Sequence, residues 1–211
     1  MEYNNITLDW LGHAGFRIKS NEKIIYIDPF KINSTEPADF ILITHEHYDH
    51  CSREDIEKIV NKNTVIITTP DCQSKLSNLN IKGVTTMTPG NKIKVNGMMI
   101  EAVPAYNTNK QFHPKENEWL GFILTINNTK IYHAGDTDII PEMLALKNID
   151  ISLIPVSGTY VMTSQEAAQA VNTFKPKLAI PMHYNAIVGT LEDANNFKGL
   201  CTTNVKILEK S

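Results

Sequence analysis

The sequence predicts a layered α/β fold, and three observations carry that expectation. Short apolar runs rich in Ile and Val recur along the 211 residues. Stretches with helix-start signals lie between several of them, and a central segment has Gly- and Asn-rich turns at hairpin spacing with no helix between. Strands, hairpins and helices on both sides place a mixed sheet, or two sheets, in the middle of the layers.

The apolar runs are KIIYID at 23–28, ADFILI at 38–43, TVIITT at 64–69, TKIYHA at 129–134, DISLIPV at 150–156 and PKLAIPM at 176–182. Their length and β-branching read as strands, several buried on both faces. SREDIEKIV starts a helix with Ser52 as N-cap and Asp55 three residues on, and TSQEAAQAVNTF offers Thr163 with Glu166 as a capping box. PEMLAL opens with Pro141 at a first-turn position, where a missing N–H costs little. The segment 81–133 reads as antiparallel sheet. No linker, repeat or low-complexity tract marks a boundary, so residues 1–211 are expected to form a single domain.

Hydrophobic residues at 42% and charged residues at 20% suit a globular chain. A net charge of −3 without a basic run argues against a nucleic-acid-coating or anionic-membrane role. The N-terminus lacks a signal-peptide pattern and no apolar run reaches spanning length, so a cytoplasmic location and no membrane span are expected. Cys51, Cys72 and Cys201 are three widely spaced cysteines without a C-x-x-C, suggesting neither a disulfide framework nor a thiolate zinc site. Cys51 directly follows a histidine cluster, where it is a candidate oxidisable thiol.

That cluster is THEHYDH, Thr44 to His50, at the end of the run FILI. Open α/β sheets bind ligands at the C-terminal ends of their strands. His45 and His47 can share one side of an extended segment, and Asp49 and His50 follow as the chain bends toward the helix. Two pairs can serve two ions. Imidazole nitrogen and carboxylate oxygen at about 2.0–2.2 Å suit zinc, and also manganese or iron in a more oxygen-rich site. A solvated polar loop is the alternative for one histidine, and a poor account of three beside an aspartate. Further ligands follow apolar runs: Asp136 after the glycine of HAGDTD, and His183 in IPMHY. A carboxylate can bridge cations roughly 3.5–4 Å apart, which makes Asp136 the bridging candidate and His183 the completion of the second ion. Alone, GDTD is an ordinary turn and His183 a core histidine; beside the first cluster they read as ligands.

THEHYDH matches the HxHxDH motif of the metallo-β-lactamase superfamily, and AGDTD and PMHY match its later aspartate and histidine motifs in order. The chain resembles the lactonase-like or phospholipase D-like hydrolase branch from LGHAGFRI and YIDPF onward. The resemblance implies a four-layer αββα sandwich with two metals bound at positions matching His45, His47, Asp49, His50, Asp136 and His183. One position departs from the pattern. Where the superfamily usually carries a further histidine for the first metal, VPAYNTNKQFHPK places Asn107, and the histidine of that interval is His113. The expectation is a loop that folds back with His113 as the ligand; the alternatives are a water or Asn107, with His113 touching substrate. His13, His133 and Asp28 fall off the ligand positions and are expected to orient ligands. Lys115, Tyr160 and Tyr184 are candidates for substrate contact.

The chemistry expected is hydrolysis of a small ester, lactone, amide or phosphoester by a metal-activated water, without a protein nucleophile. Two divalent ions are implied, Zn²⁺ first and Mn²⁺ or Fe²⁺ as alternatives. Asp49 would orient the nucleophile and carry its proton. The rival reading is an iron-binding redox or oxidative-stress sensor. The partner expected is a small-molecule substrate, and a homo-oligomer is compatible with the sequence.

Overall fold

The computed structural model describes residues 1–211 and divides into two compact units. The first comprises Met1–Met87 with Glu209–Ser211, and the second Thr88–Leu208. No helix is long and apolar enough to cross a membrane.

The first unit holds one seven-stranded sheet in sequential order: β1 (Glu2–Tyr3), β2 (Ile6–Gly12), β3 (Gly15–Ser20), β4 (Lys23–Ile27), β5 (Phe40–Leu42), β6 (Val65–Thr68) and β7 (Gly83–Thr86). β1 to β4 run antiparallel, and β4 to β7 pair in parallel. Parallel neighbours need crossovers, which carry helix α1 (Arg53–Ile59) and a 3₁₀ segment at Pro70–Leu76. Ile56 and Ile59 of α1 join Tyr26, Ile41, Ile43, Ile66, Cys51 and Cys72 in one buried cluster. At about 25 cal/mol per Å², such burial is the main driving force for seating α1 on its sheet. Ser52 is the N-cap, but its hydroxyl donates to the Asp55 carboxylate at 2.6 Å and caps no backbone group. Asp55 also accepts from the Lys31 and Ile32 backbone N–H groups and the Lys58 ammonium. Burial works against its ionisation, but these donors hold its carboxyl below the usual carboxylate range.

The second unit repeats the plan. β8 (Lys92–Val95), β9 (Met98–Pro104), β10 (Leu120–Ile126) and β11 (Thr129–His133) form an antiparallel meander. β12 (Ile151–Pro155), β13 (Leu178–Met182) and β14 (Asn204–Val205) then add in parallel. The expected antiparallel stretch 81–133 is corrected at its start, since β7 pairs in parallel with β6 and the hairpins begin at β8. Gly83 to Thr86 carry too few apolar residues for their partner to be read from pattern.

Helices α2 (Pro141–Leu144), α3 (Ser164–Phe174) and α4 (Leu191–Leu200) complete the unit. Thr163 and Glu166 make the expected capping box, and Pro141 occupies the first turn of α2. α3 buries Ala167, Ala168, Ala170, Val171 and Phe174, and Phe174 meets the Tyr132 ring of β11 edge-on at 6.2 Å. Buried polar residues follow the C-terminal ends of several strands, Asp28 after β4, Thr44 and His45 after β5, Asp136 after β11 and His183 after β13.

Candidate metal centre

In the first unit the chain leaves β5 through Thr44 and His45, and a turn at 46–51 presents His47, Asp49 and His50 before α1. The backbone N–H groups of His50 and Cys51 both donate to the His47 carbonyl and close that turn. β4 and β5 are parallel with Ile27 opposite Leu42, so Asp28 emerges beside Thr44 although sixteen residues separate them. Asp28 is fully buried and accepts from the Thr44 N–H at 2.8 Å, the Thr44 hydroxyl at 2.6 Å and His50 Nδ1 at 2.7 Å.

These contacts fix tautomers. A carboxylate only accepts, so His50 carries its proton on Nδ1, and the single Thr44 hydroxyl hydrogen is committed to Asp28. Thr44 Oγ1 therefore accepts from His45 Nδ1 at 3.0 Å. As neutral imidazoles, His45 and His50 both keep a lone pair on Nε2, the state a metal ligand requires. His45 Nε2 lies 3.1 Å from His47 Nδ1. His13 Nε2 lies 2.9 Å from Asp49 Oδ2, and His50 Nε2 lies 3.7 Å from the same oxygen. One ligand atom from each of His13, Asp49 and His50 falls within 4.8 Å of the others. His13 adopts the left-handed conformation, φ 51°, in the tight turn between β2 and β3, with its carbonyl held by the Trp10 indole N–H.

In the second unit His113, Asp136 and His183 come together. His113 Nε2 and His183 Nε2 approach one oxygen of Asp136, Oδ2, at 3.2 and 3.1 Å. All three are buried. Asp136 follows Gly135, whose φ of 64° and close approach to the Leu120 carbonyl leave no room for a side chain; a Cβ there would sit 2.4 Å from that oxygen. His133 Nδ1 accepts from the Gly135 N–H at 3.2 Å, so His133 shapes this turn. His183 leaves β13 in the left-handed conformation, φ 62°, with Nδ1 3.0 Å from the Ser157 hydroxyl. The loop that carries His113 does fold back: Asn107 N–H donates to the His113 carbonyl at 2.8 Å. Asp138 secures the same loop, accepting from the Thr108 and Asn109 N–H groups and from the Lys110 ammonium at 2.6 Å.

The donor chemistry suits metal binding: buried imidazoles and carboxylates, the ligand types of divalent-metal sites, converge within each unit. Tyr184 is buried, and burial pushes its phenol up to about 12, which keeps it neutral. Tyr160 packs edge-on against the exposed Phe112 ring at 4.7 Å, and Lys115 is exposed, donating to the Tyr106 hydroxyl at 3.3 Å. Cys51 and Cys72 are buried free thiols in the α1 cluster; a hydrogen bond to Cys72, with burial, pushes the Cys51 thiol far above its usual range. Thr44, Ser157 and Asp138 went unmarked by sequence reasoning. Thr44 precedes the motif directly, which is a usable signal, whereas Ser157 and Asp138 become partners only through folding.

Residues 7–183 match the family of the beta-lactamase superfamily domain. The chain belongs to that superfamily. A UPF0173 metal-dependent hydrolase of Thermoplasma acidophilum is 34% identical, the alignment covering 94% of this chain and 92% of the relative. One of Caldivirga maquilingensis is 31% identical, covering 92% and 88%. A crystal structure described as a metal-dependent hydrolase from Parabacteroides distasonis superposes with a TM-score of 0.87 at 33% identity, covering 98% of this chain and 94% of that one. The metallo-β-lactamase fold of two mixed sheets flanked by helices is thus the fold of this chain, as the HxHxDH resemblance implied.

Proposed function

We propose that this chain is a metal-dependent hydrolase acting on a small ester, lactone, amide or phosphoester, and that residues 1–211 work as one catalytic domain. The observation that carries the reading is the orientation of the histidines. His45, His50 and His113 each have Nδ1 bound to a fixed oxygen, from Thr44, Asp28 and Asn107, which leaves Nε2 to act as a ligand. A core histidine that merely satisfies its hydrogen bonds has no need of this uniform polarity.

His45, His47 and His113 are proposed as the residues that would hold one ion, and Asp49, His50 and His183 a second, with Asp136 the ligand shared by both. The assignment of sets rests on motif order and on the family resemblance. Such ions, Zn²⁺ first and Mn²⁺ or Fe²⁺ as alternatives, supply Lewis-acid activation of water and of the oxygen under attack. Asp49 orients the nucleophile and accepts its proton, and His13, 2.9 Å away, keeps that carboxylate in place. Asp28 and Thr44 hold the ligating face of the first unit, and Ser157 does the same for His183.

The names borne by the curated relatives favour hydrolysis over an iron-binding redox or sensor role. A cytoplasmic protein acting on a small molecule, alone or as a homo-oligomer, is consistent with the charge and the absence of a basic run. A panel of phosphodiesters, lactones, esters and amides assayed with and without a chelator tests the proposal. Chelator-sensitive turnover of one class is expected. Turnover that survives complete metal removal, or metal-loaded protein that consumes peroxide and hydrolyses nothing, would sink it.

A further inference from the structure

Asn107 stands where the resemblance leads one to expect a ligand histidine, and its side chain is nearly buried. Its amide makes three hydrogen bonds within the second unit. Nδ2 donates to the Tyr160 carbonyl at 3.0 Å, while Oδ1 accepts from the His113 backbone N–H at 3.0 Å and faces His113 Nδ1 at 3.1 Å. The two ends of an amide are chemically distinct, and this network distinguishes them. A carbonyl can only accept, so the atom facing Tyr160 is the NH₂, and the atom facing His113 is the oxygen, which a backbone N–H independently requires. Because Oδ1 has no hydrogen to give, His113 must carry its proton on Nδ1. The lone pair then sits on Nε2, the nitrogen 3.2 Å from Asp136 Oδ2. The reciprocal bond from the Asn107 N–H to the His113 carbonyl closes a two-ended clamp across the loop.

We propose that Asn107 is the positioning residue of His113: it sets the imidazole tautomer and directs Nε2 toward Asp136, so that an asparagine at the customary ligand position serves a histidine six residues later. This rests on the reading above that His113 is a metal ligand. Around this clamp the Trp119 ring lies T-shaped against the His113 ring with centroids 5.5 Å apart, and Asp138 holds the loop through Tyr106, Thr108, Asn109 and Lys110.

The test uses the full chain and two readouts. Nitrogen-15 spectra of the chelated protein report whether His113 Nδ1 carries a proton, with His113→Gln supplying the assignment. Zinc dissociation constants follow from competition with a chromophoric chelator. The wild type should show the Nδ1–H pattern. Asn107→Asp keeps the accepting oxygens and should retain that pattern and bind zinc within about threefold of the wild type, although its tether to Tyr160 is lost. Asn107→Leu should mix the tautomers and weaken zinc about 10- to 100-fold, the usual loss when a ligand's orienting partner is removed. An unaltered Nδ1–H pattern in Asn107→Leu, or its loss in Asn107→Asp, would overturn the inference. If His113→Gln binds zinc as the wild type does, the ligand reading fails instead, and a tautomer change in Asn107→Leu would still assign the clamp to Asn107.

Discussion

Replacing Asp28 by Asn should damage the first unit in a way that follows from counting hydrogens. Oδ1 accepts one bond, from the Thr44 N–H, and Oδ2 accepts two, from the Thr44 hydroxyl and His50 Nδ1. An asparagine must put an NH₂ on one side. If the NH₂ faces the Thr44 N–H, two donors meet in a fully buried site, and the unmade bond costs about 1–3 kcal/mol. If it takes the other side, His50 must move its proton to Nε2 and Thr44 must turn its hydroxyl toward His45. Both ligating nitrogens are then compromised. A cost of about 1–3 kcal/mol corresponds to a fall of about 2–12 °C in the unfolding midpoint for a chain of this size. The second outcome instead weakens metal binding about 10- to 100-fold. Calorimetric unfolding of the chelated protein, together with zinc titration, separates the two. Wild-type midpoint and wild-type zinc affinity in the same Asp28→Asn protein would refute the tautomer reasoning.

Three further outcomes are expected. Asp49→Asn should lower turnover of whichever substrate the panel identifies by at least about 100-fold, within the usual range for a general base, a larger loss than its loss of metal; near-normal turnover in metal-replete protein would exclude the proton-carrying role. In Gly135→Ala the new Cβ collides with the Leu120 carbonyl, so the turn bearing Asp136 must open. An unfolding midpoint lowered by several degrees is expected, and an unchanged midpoint with full metal binding would show that the turn is not needed. Asp55 is held below its ordinary range in the folded state, and its contribution is therefore present above its unfolded pKa and lost as pH falls through the folded one. The stability deficit of Asp55→Asn should accordingly shrink between about pH 4 and lower pH in urea titrations; a deficit constant from pH 7 to 3 would assign Asp55 a purely steric role.

Much of this was readable before folding because local chemistry and tertiary structure agree. The apolar runs became β4, β5, β6, β11, β12 and β13, and Thr163 with Glu166 and Pro141 started helices where their chemistry places them. His45, His47, Asp49 and His50 lie within one turn, so their proximity is nearly a property of the sequence. What could not be read depends on register. Asp28 reaches His50 only because β4 and β5 are parallel with Ile27 beside Leu42, and one residue of slip would turn Asp28 away from it. Ser52 has the composition of an N-cap, yet its hydroxyl is taken by Asp55, a competition that sequence spacing does not decide. Asn107 was legible only as a departure from a motif. Its partnership with His113 requires a loop closed by Asp138, thirty residues downstream of Thr108, and no local pattern encodes that closure.

The central proposal is that His45, His47, Asp49, His50, His113, Asp136 and His183 hold two divalent ions. The most direct measurement is metal content by mass spectrometry on the full chain, purified without chelator and then equilibrated with zinc and desalted. About two ions per chain, falling to one or none in Asp136→Asn of unchanged unfolding midpoint, is the predicted result. One ion or none in the wild type under zinc, manganese and iron alike, or two ions retained by Asp136→Asn, would contradict the bridged two-ion site.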